Sequence, residues 1–134
     1  MADTTPIGIS FPIQRESVGG MFGVTFDSVS AAKLNIRNLM LTRPGERPGR
    51  PDYGSSFWTA VVFEQNDEFI EDIIITSLSN DIRKFLPELT IDSIEVERTS
   101  SDIDIYRVMI SVTFRISINS EESTAETMQV NVEL

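Results

Sequence analysis

A chain of 134 residues is long enough to bury one core without covalent staples, and it contains neither cysteine nor histidine. These absences exclude a disulfide framework, thiolate or imidazole metal sites, and the Ser-His-Asp and Cys-His nucleophilic arrangements. The formal net charge of −10 is unevenly spread, because residues 33–50 carry Lys33, Arg37, Arg43, Arg47 and Arg50 against Glu46, whereas residues 51–134 hold five basic and seventeen acidic side chains.

Such asymmetry can orient partners of either sign. A short basic patch in an acidic chain, with no aromatic and basic residues interleaved along it, argues against nucleic acid as the partner. No stretch approaches the ~18 apolar residues of a membrane span. The N-terminus lacks the basic flank and apolar run of a signal peptide. The expectation is a protein made and kept in a cytoplasm, with no membrane partner and no cofactor.

Residues 1–24 read as an extended arm. Pro6 and Pro12 bracket Ile7, Ile9, Phe11 and Ile13, and Gly19, Gly20 and Gly23 follow. The alternating apolar residues suit either the domain's own core or a neighbour. Residues 25–134 are expected to form one domain.

Asp27 or Ser28 can cap a first helix whose Val29, Ala32, Ile36, Leu39 and Met40 share one face, and Pro44 bars its continuation. The segment Arg43 to Gly54 then carries Pro44, Pro48 and Pro51, which donate no backbone hydrogen bond, and Gly45, Gly49 and Gly54, which tolerate unusual backbone angles. Neither helix nor ladder persists through it. Arg43, Glu46, Arg47, Arg50 and Asp52 project from this constrained backbone, where ion pairs would order the loop and a free guanidinium would fork onto a partner's carboxylate. A stiff connection with solvated charges is the alternative.

A short helical turn is expected over residues 57–63, with Trp58 as core filler or partner anchor. The second helix is expected from Asn66 to Phe85. Ile70, Ile73, Ile74, Leu78, Ile82 and Phe85 form its apolar face, Asp67, Glu68, Glu71 and Asp72 suit its positive end, and Arg83 and Lys84 suit its negative end. Pro87 marks its stop.

From Leu89 the period becomes two. Ile94 and Val96 predict a short strand, and an acidic turn over residues 100–104 precedes a long one in which Tyr106, Val108, Ile110, Val112, Phe114, Ile116 and Ile118 face one way. A polar turn at residues 119–123 leads to Met128, Val130, Val132 and Leu134, again alternating. The fold class is therefore α+β: two main helices on a small, mostly antiparallel sheet of three strands, or four if the arm joins. A last strand at the sheet edge would offer unpaired backbone to another chain's strand, or would simply be blunted by Glu126 and Glu133.

Several segments together resemble a known family. Gly8-Ile-Ser-Phe-Pro12, Ile36-Arg-Asn-Leu39, Thr42-Arg-Pro-Gly-Glu-Arg47, Pro51-Asp-Tyr-Gly54 and Phe63-Glu64 are similar to the gene-25-like, or W-like, small baseplate wedge subunits of contractile phage tails. Relatives of that family serve type VI secretion and extracellular contractile injection systems. The resemblance covers nearly the whole chain.

It implies a structural, non-enzymatic subunit in a virion tail baseplate, assembled in the host cytoplasm and present in multiple copies set by the baseplate symmetry. The implied partners are the larger wedge proteins, the first ring of tail sheath, and hub or tube proteins. The implied contact residues are Arg43, Glu46, Arg47, Arg50, Asp52 and Tyr53 in the loop, Pro87 and Glu88 after the second helix, and Met128, Val130, Val132 and Leu134 in the last strand. One departure stands out: where the family carries Glu-Pro-Arg, this chain has Leu86-Pro87-Glu88.

Some family members carry a lysozyme label, which brings Glu46 and Asp52 forward as a carboxylate pair. Neither has an evident apolar cleft of the kind a general acid needs, so catalysis is not expected. Asp102-Ile-Asp104 and Glu121-Glu122 lack the EF-hand spacing and read as solvated acidic turns.

Overall fold

Asp27 opens the first helix, α1 (Ser28–Leu41), by accepting hydrogen bonds from the backbone N–H and the hydroxyl of Ser30, both at 2.9 Å. In this computed structural model, residues 7–10, 12–15, 22–25, 27–58, 69–100, 106–118, 121–122 and 124–133 are described. Ala32, Ile36, Leu39 and Met40 of α1 are buried, with Val29 packed beside them, as the spacing predicts. At the far end Thr42 caps the helix. Its N–H donates to the Leu39 carbonyl at 3.3 Å and its hydroxyl to the Asn38 carbonyl at 2.6 Å.

The second helix, α2 (Ile70–Phe85), buries Ile70, Ile74, Leu78 and Ile82 in one row, flanked by half-buried Ile73 and Phe85. Each fully buried aliphatic side chain contributes about 1.5–3 kcal/mol relative to exposure, which is why this row, and not helix propensity, holds α2 in place. Glu71 and Asp72 occupy its first turn and Arg83 and Lys84 its last, each favourable to the helix dipole. The described helix begins at Ile70, and residues 66–68, where it was expected to start, lie outside the described residues. Phe69 stands at its N-cap without any side-chain cap, and Ile73 N–H closes the first turn on the Phe69 carbonyl at 3.0 Å.

Both helices pack on one face of an antiparallel sheet. Strand β4 (Tyr106–Ile118) is central, flanked on one side by β3 (Leu89–Ser100) and on the other by β5 (Glu121–Glu122) and β6 (Glu126–Glu133). Val108, Ile110, Val112, Phe114 and Ile116 of β4 point into the core, with Met128, Val130 and Val132 of β6 beside them. The other face is polar. There Thr113 and Thr127, directly paired across the strands, hydrogen-bond at 3.0 Å.

Three expectations are corrected. Strand β3 runs for 12 residues, not just through Ile94 and Val96. Its register slips between Ile91 and Ser93, leaving Asp92 as the extra residue of a bulge. That bulge turns Leu89 and Ile91 before it and Ile94 and Val96 after it toward the same core, although the sequence between them breaks the two-residue period. Asp92 is fixed by Arg115 of β4, whose Nε and Nη2 donate to it at 2.8–3.0 Å.

The fourth strand is β5, in a stretch read as turn, and not the N-terminal arm. The arm instead folds back on itself. Strands β1 (Gly8–Ile9) and β2 (Val24–Thr25) pair as a separate two-stranded ribbon, held by hydrogen bonds such as Ser10 N–H to the Gly23 carbonyl at 2.8 Å. Ile7, Ile9 and Ile13 remain exposed, so they do not line the domain's core. Phe11, residues 59–68, all of the expected acidic turn but Ser100, and Leu134 lie outside the described residues.

Candidate functional site

The loop after α1 is closed on itself by hydrogen bonds at both ends. Ser55 N–H reaches back to the Thr42 carbonyl at 2.9 Å, joining exit to entry, and Gly45 N–H donates to the Pro51 carbonyl at 2.8 Å across the middle. Gly45 takes φ +87°, which a β-carbon would strain. Gly54 is more constrained still: φ is +143°, and a β-carbon there would stand 2.7 Å from the Arg43 carbonyl carbon and the Pro44 nitrogen. The two limbs of the loop touch at this glycine. Glu46 completes the turn, its carboxylate accepting the Arg43 backbone N–H at 2.8 Å.

Asp81 of α2 anchors the loop to the body. One carboxylate oxygen accepts from the Ser55 hydroxyl at 3.1 Å and from both the N–H and the hydroxyl of Ser56 at 2.9 Å. Ser55 is fully buried, so its hydroxyl depends on this partner. Trp58 adds a second anchor by donating its indole N–H to the Met40 carbonyl at 2.7 Å in the last turn of α1. Trp58 is therefore an internal brace, packed on the core with Phe57 5.0 Å away.

The arginines lie on aromatic faces. Arg43 covers Trp58 at 4.8 Å and Arg47 covers Tyr53 at 4.3 Å, while Arg50 sits 5.7 Å from both the Tyr53 and the Phe85 ring centres. Lys84 approaches Phe85 at 4.8 Å, and the Tyr53 and Phe85 rings meet edge-on at 5.2 Å. The result is a ladder in which Arg47, Tyr53, Arg50, Phe85 and Lys84 alternate cation with ring. Chain order does not contain this interleaving; folding creates it.

Tyr53 against Phe85 also brings the turn after α2 to the loop's end of the molecule. Leu86 is buried, while Pro87 and Glu88 are exposed, and the Glu88 carbonyl accepts Ser117 N–H of β4 at 3.0 Å. The last-strand residues belong to another surface. Met128, Val130 and Val132 turn their side chains into the core, so what they leave toward another chain is the backbone edge of β6. Among the described residues β6 pairs with β4 alone. Lys33, in the first half of α1, bridges to Glu126 of β6 at 3.1 Å, whereas the loop leaves the opposite end of that helix.

Glu46 and Asp52 each have a partner of their own in the loop. The first serves the loop backbone, and the second stands 3.9 Å from Arg50 with its side chain 60% exposed. Sequence reasoning missed Asp81, Lys84 and Phe85 as parts of the site. Asp81 looks like any polar position on an amphipathic helix, and spacing alone places Phe85 on the core face and Lys84 at the helix's negative end.

The architecture is shared with two solved structures. A candidate tail lysozyme from Geobacter sulfurreducens superposes with a TM-score of 0.68 at 18% identity, over 81% of this chain and 92% of the other. A chain of the anti-feeding prophage baseplate superposes with a TM-score of 0.60 at 19% identity, over 92% of this chain and 81% of the other. No curated protein matches the sequence.

Residues 30–121 match the family of baseplate wedge protein gp25, and the chain belongs to that family. As a member of that family it is a baseplate subunit. The matched span takes in α1 from Ser30 onward, the braced loop and α2, and ends before β6.

Proposed function

We propose that this chain is a structural subunit of a contractile phage tail baseplate wedge, holding the larger wedge proteins near the hub and offering its β region as a template for sheath. The observation that carries the reading is the loop from Arg43 to Gly54: it lies within the family match and is braced on two helices, yet turns its charged side chains outward. Rigid projecting groups lose little entropy on docking. Arg43, Glu46, Arg47, Arg50, Asp52 and Tyr53, with Pro87 and Glu88 alongside, form the wedge-facing surface in this reading. The open edge of β6 accepts a strand from the first sheath ring.

The likeness to the anti-feeding prophage baseplate favours a second reading, the same role in a contractile injection system that is not a phage. Affinity purification of a tagged copy from cells making the native particle, with mass spectrometry and electron microscopy, separates the two. Wedge, sheath and capsid proteins together support the phage tail, and wedge and sheath without capsid support the injection system. Recovery of the chain alone overturns both. A hydrolase role finds no support in Glu46, whose carboxylate is spent on the loop. Clearing of peptidoglycan by the purified protein, lost in Glu46→Gln, would reverse that conclusion.

A further inference from the structure

We propose that the ladder of Arg47, Tyr53, Arg50, Phe85 and Lys84 binds the carboxylates of an acidic segment in a partner protein; the partner's presence rests on the baseplate reading, the chemistry of the site does not. A guanidinium lying against a ring keeps its in-plane N–H edge free, which is the geometry that grips a carboxylate in bidentate fashion. The ring faces between the cations carry negative charge, which lets three positive groups stand close together.

Among the described residues, Asp52 is the one acid that stands in ion-pair distance of a ladder cation. Glu46 is committed to the Arg43 N–H and Asp81 to Ser55 and Ser56, and among the described residues Glu88 makes no ion pair with the ladder. Asp52 approaches only Arg50, at 3.9 Å, with the two side chains 60% and 63% exposed, a contact that an incoming carboxylate can displace.

The occupant follows from the charge of the whole chain. A ladder of three cations stands on a molecule of net charge −10 whose sheet exposes Glu95 and Glu97. A nucleic acid carries its charge on past the ladder and meets that repulsion, whereas a short acidic segment presents carboxylates only where the cations are. Acids one helical turn apart, about 5–6 Å between β-carbons, are spaced on the scale of the 5.2 Å between the Tyr53 and Phe85 ring centres that carry the cations.

The test uses the full chain and calorimetric titration at low salt. The probe is an alanine-rich helical peptide with glutamate at successive i, i+4 positions, compared with its glutamine counterpart and with single-stranded DNA of equal charge. The glutamate peptide should bind and the glutamine peptide should not. Arg47→Gln with Arg50→Gln and Lys84→Gln should weaken binding about tenfold or more. Lys84→Glu, at an exposed helix end, should weaken it without touching the loop, and near-ultraviolet circular dichroism reports whether each variant keeps its fold.

Absence of glutamate-peptide binding, or binding indifferent to these changes, overturns the proposal. DNA bound in preference overturns it in favour of a phosphate partner. In particles, a folded triple variant missing from baseplates that retain the wild type supports the ladder, and normal incorporation of the variant overturns it. Wild type absent from baseplates fails the baseplate reading instead, and the calorimetry still decides the ladder.

Discussion

Gly54 and Asp81 show how single residues hold the loop. A side chain at Gly54 meets backbone atoms of Arg43 and Pro44 that belong to the same closed turn, so neither limb can yield without opening the other. Gly54→Ala is expected to cost at least about 1–3 kcal/mol, from the unfavourable φ alone, with the clash added. Urea denaturation measures it. Asp81→Ala leaves the buried Ser55 hydroxyl and the Ser56 N–H without their acceptor and is expected to cost about 1–3 kcal/mol. Because Trp58 braces the loop from the other side, its fluorescence should report the loosening.

Elements carry two further expectations. Asp27 caps α1, and its hydrogen bonds from the Ser30 backbone and then the Ser30 hydroxyl hold its carboxyl below the ordinary value. A carboxyl lowered on folding stabilises above its unfolded pKa and loses that effect as pH falls through the folded value. Wild type should therefore be more stable than Asp27→Ala at neutral pH, and the difference in melting temperature should vanish well below about pH 3.9. In β6 the core-facing positions are unsuitable for probing the edge, since changes at Met128, Val130 or Val132 damage packing. Gln129→Lys with Asn131→Lys alters exposed positions instead and guards the edge with charge. Thermal stability should hold, and sheath should fail to start on baseplates carrying the double variant; normal sheath would remove the strand-addition reading.

Across the whole molecule, one face of the sheet supplies most of the core and β4 runs through its middle. Phe114, fully buried there, faces both helices' side of the sheet. Phe114→Ala is expected to cost about 3–5 kcal/mol, a large share of the ~5–15 kcal/mol that folds a domain. Unfolding by heat and by urea should move together. By contrast the exposed pair Lys33–Glu126, each side chain 38% exposed, is expected to matter by no more than about 1 kcal/mol although it joins α1 to β6.

Local pattern was enough for α1, for the row Ile70, Ile74, Leu78 and Ile82, and for the alternation in β4 and β6, because each element buries one face and the period of that face is written into neighbouring residues. The family motif around Arg43 to Gly54 was legible for the same reason, its constraints being those of consecutive prolines and glycines. Where two distant segments had to meet, pattern was silent. The extent of β3 depended on a bulge at Asp92 that Arg115 holds, and the pairing of β1 with β2 depended on an arm turning back on itself. Asp81 found Ser55 and Ser56 across 25 residues or more, and Phe85 joined Tyr53 to complete a cation ladder that no stretch of sequence contains. Such contacts belong to the tertiary structure alone, since hydrogen bonds and ring contacts form between surfaces that meet only after the core has chosen how the helices lie on the sheet.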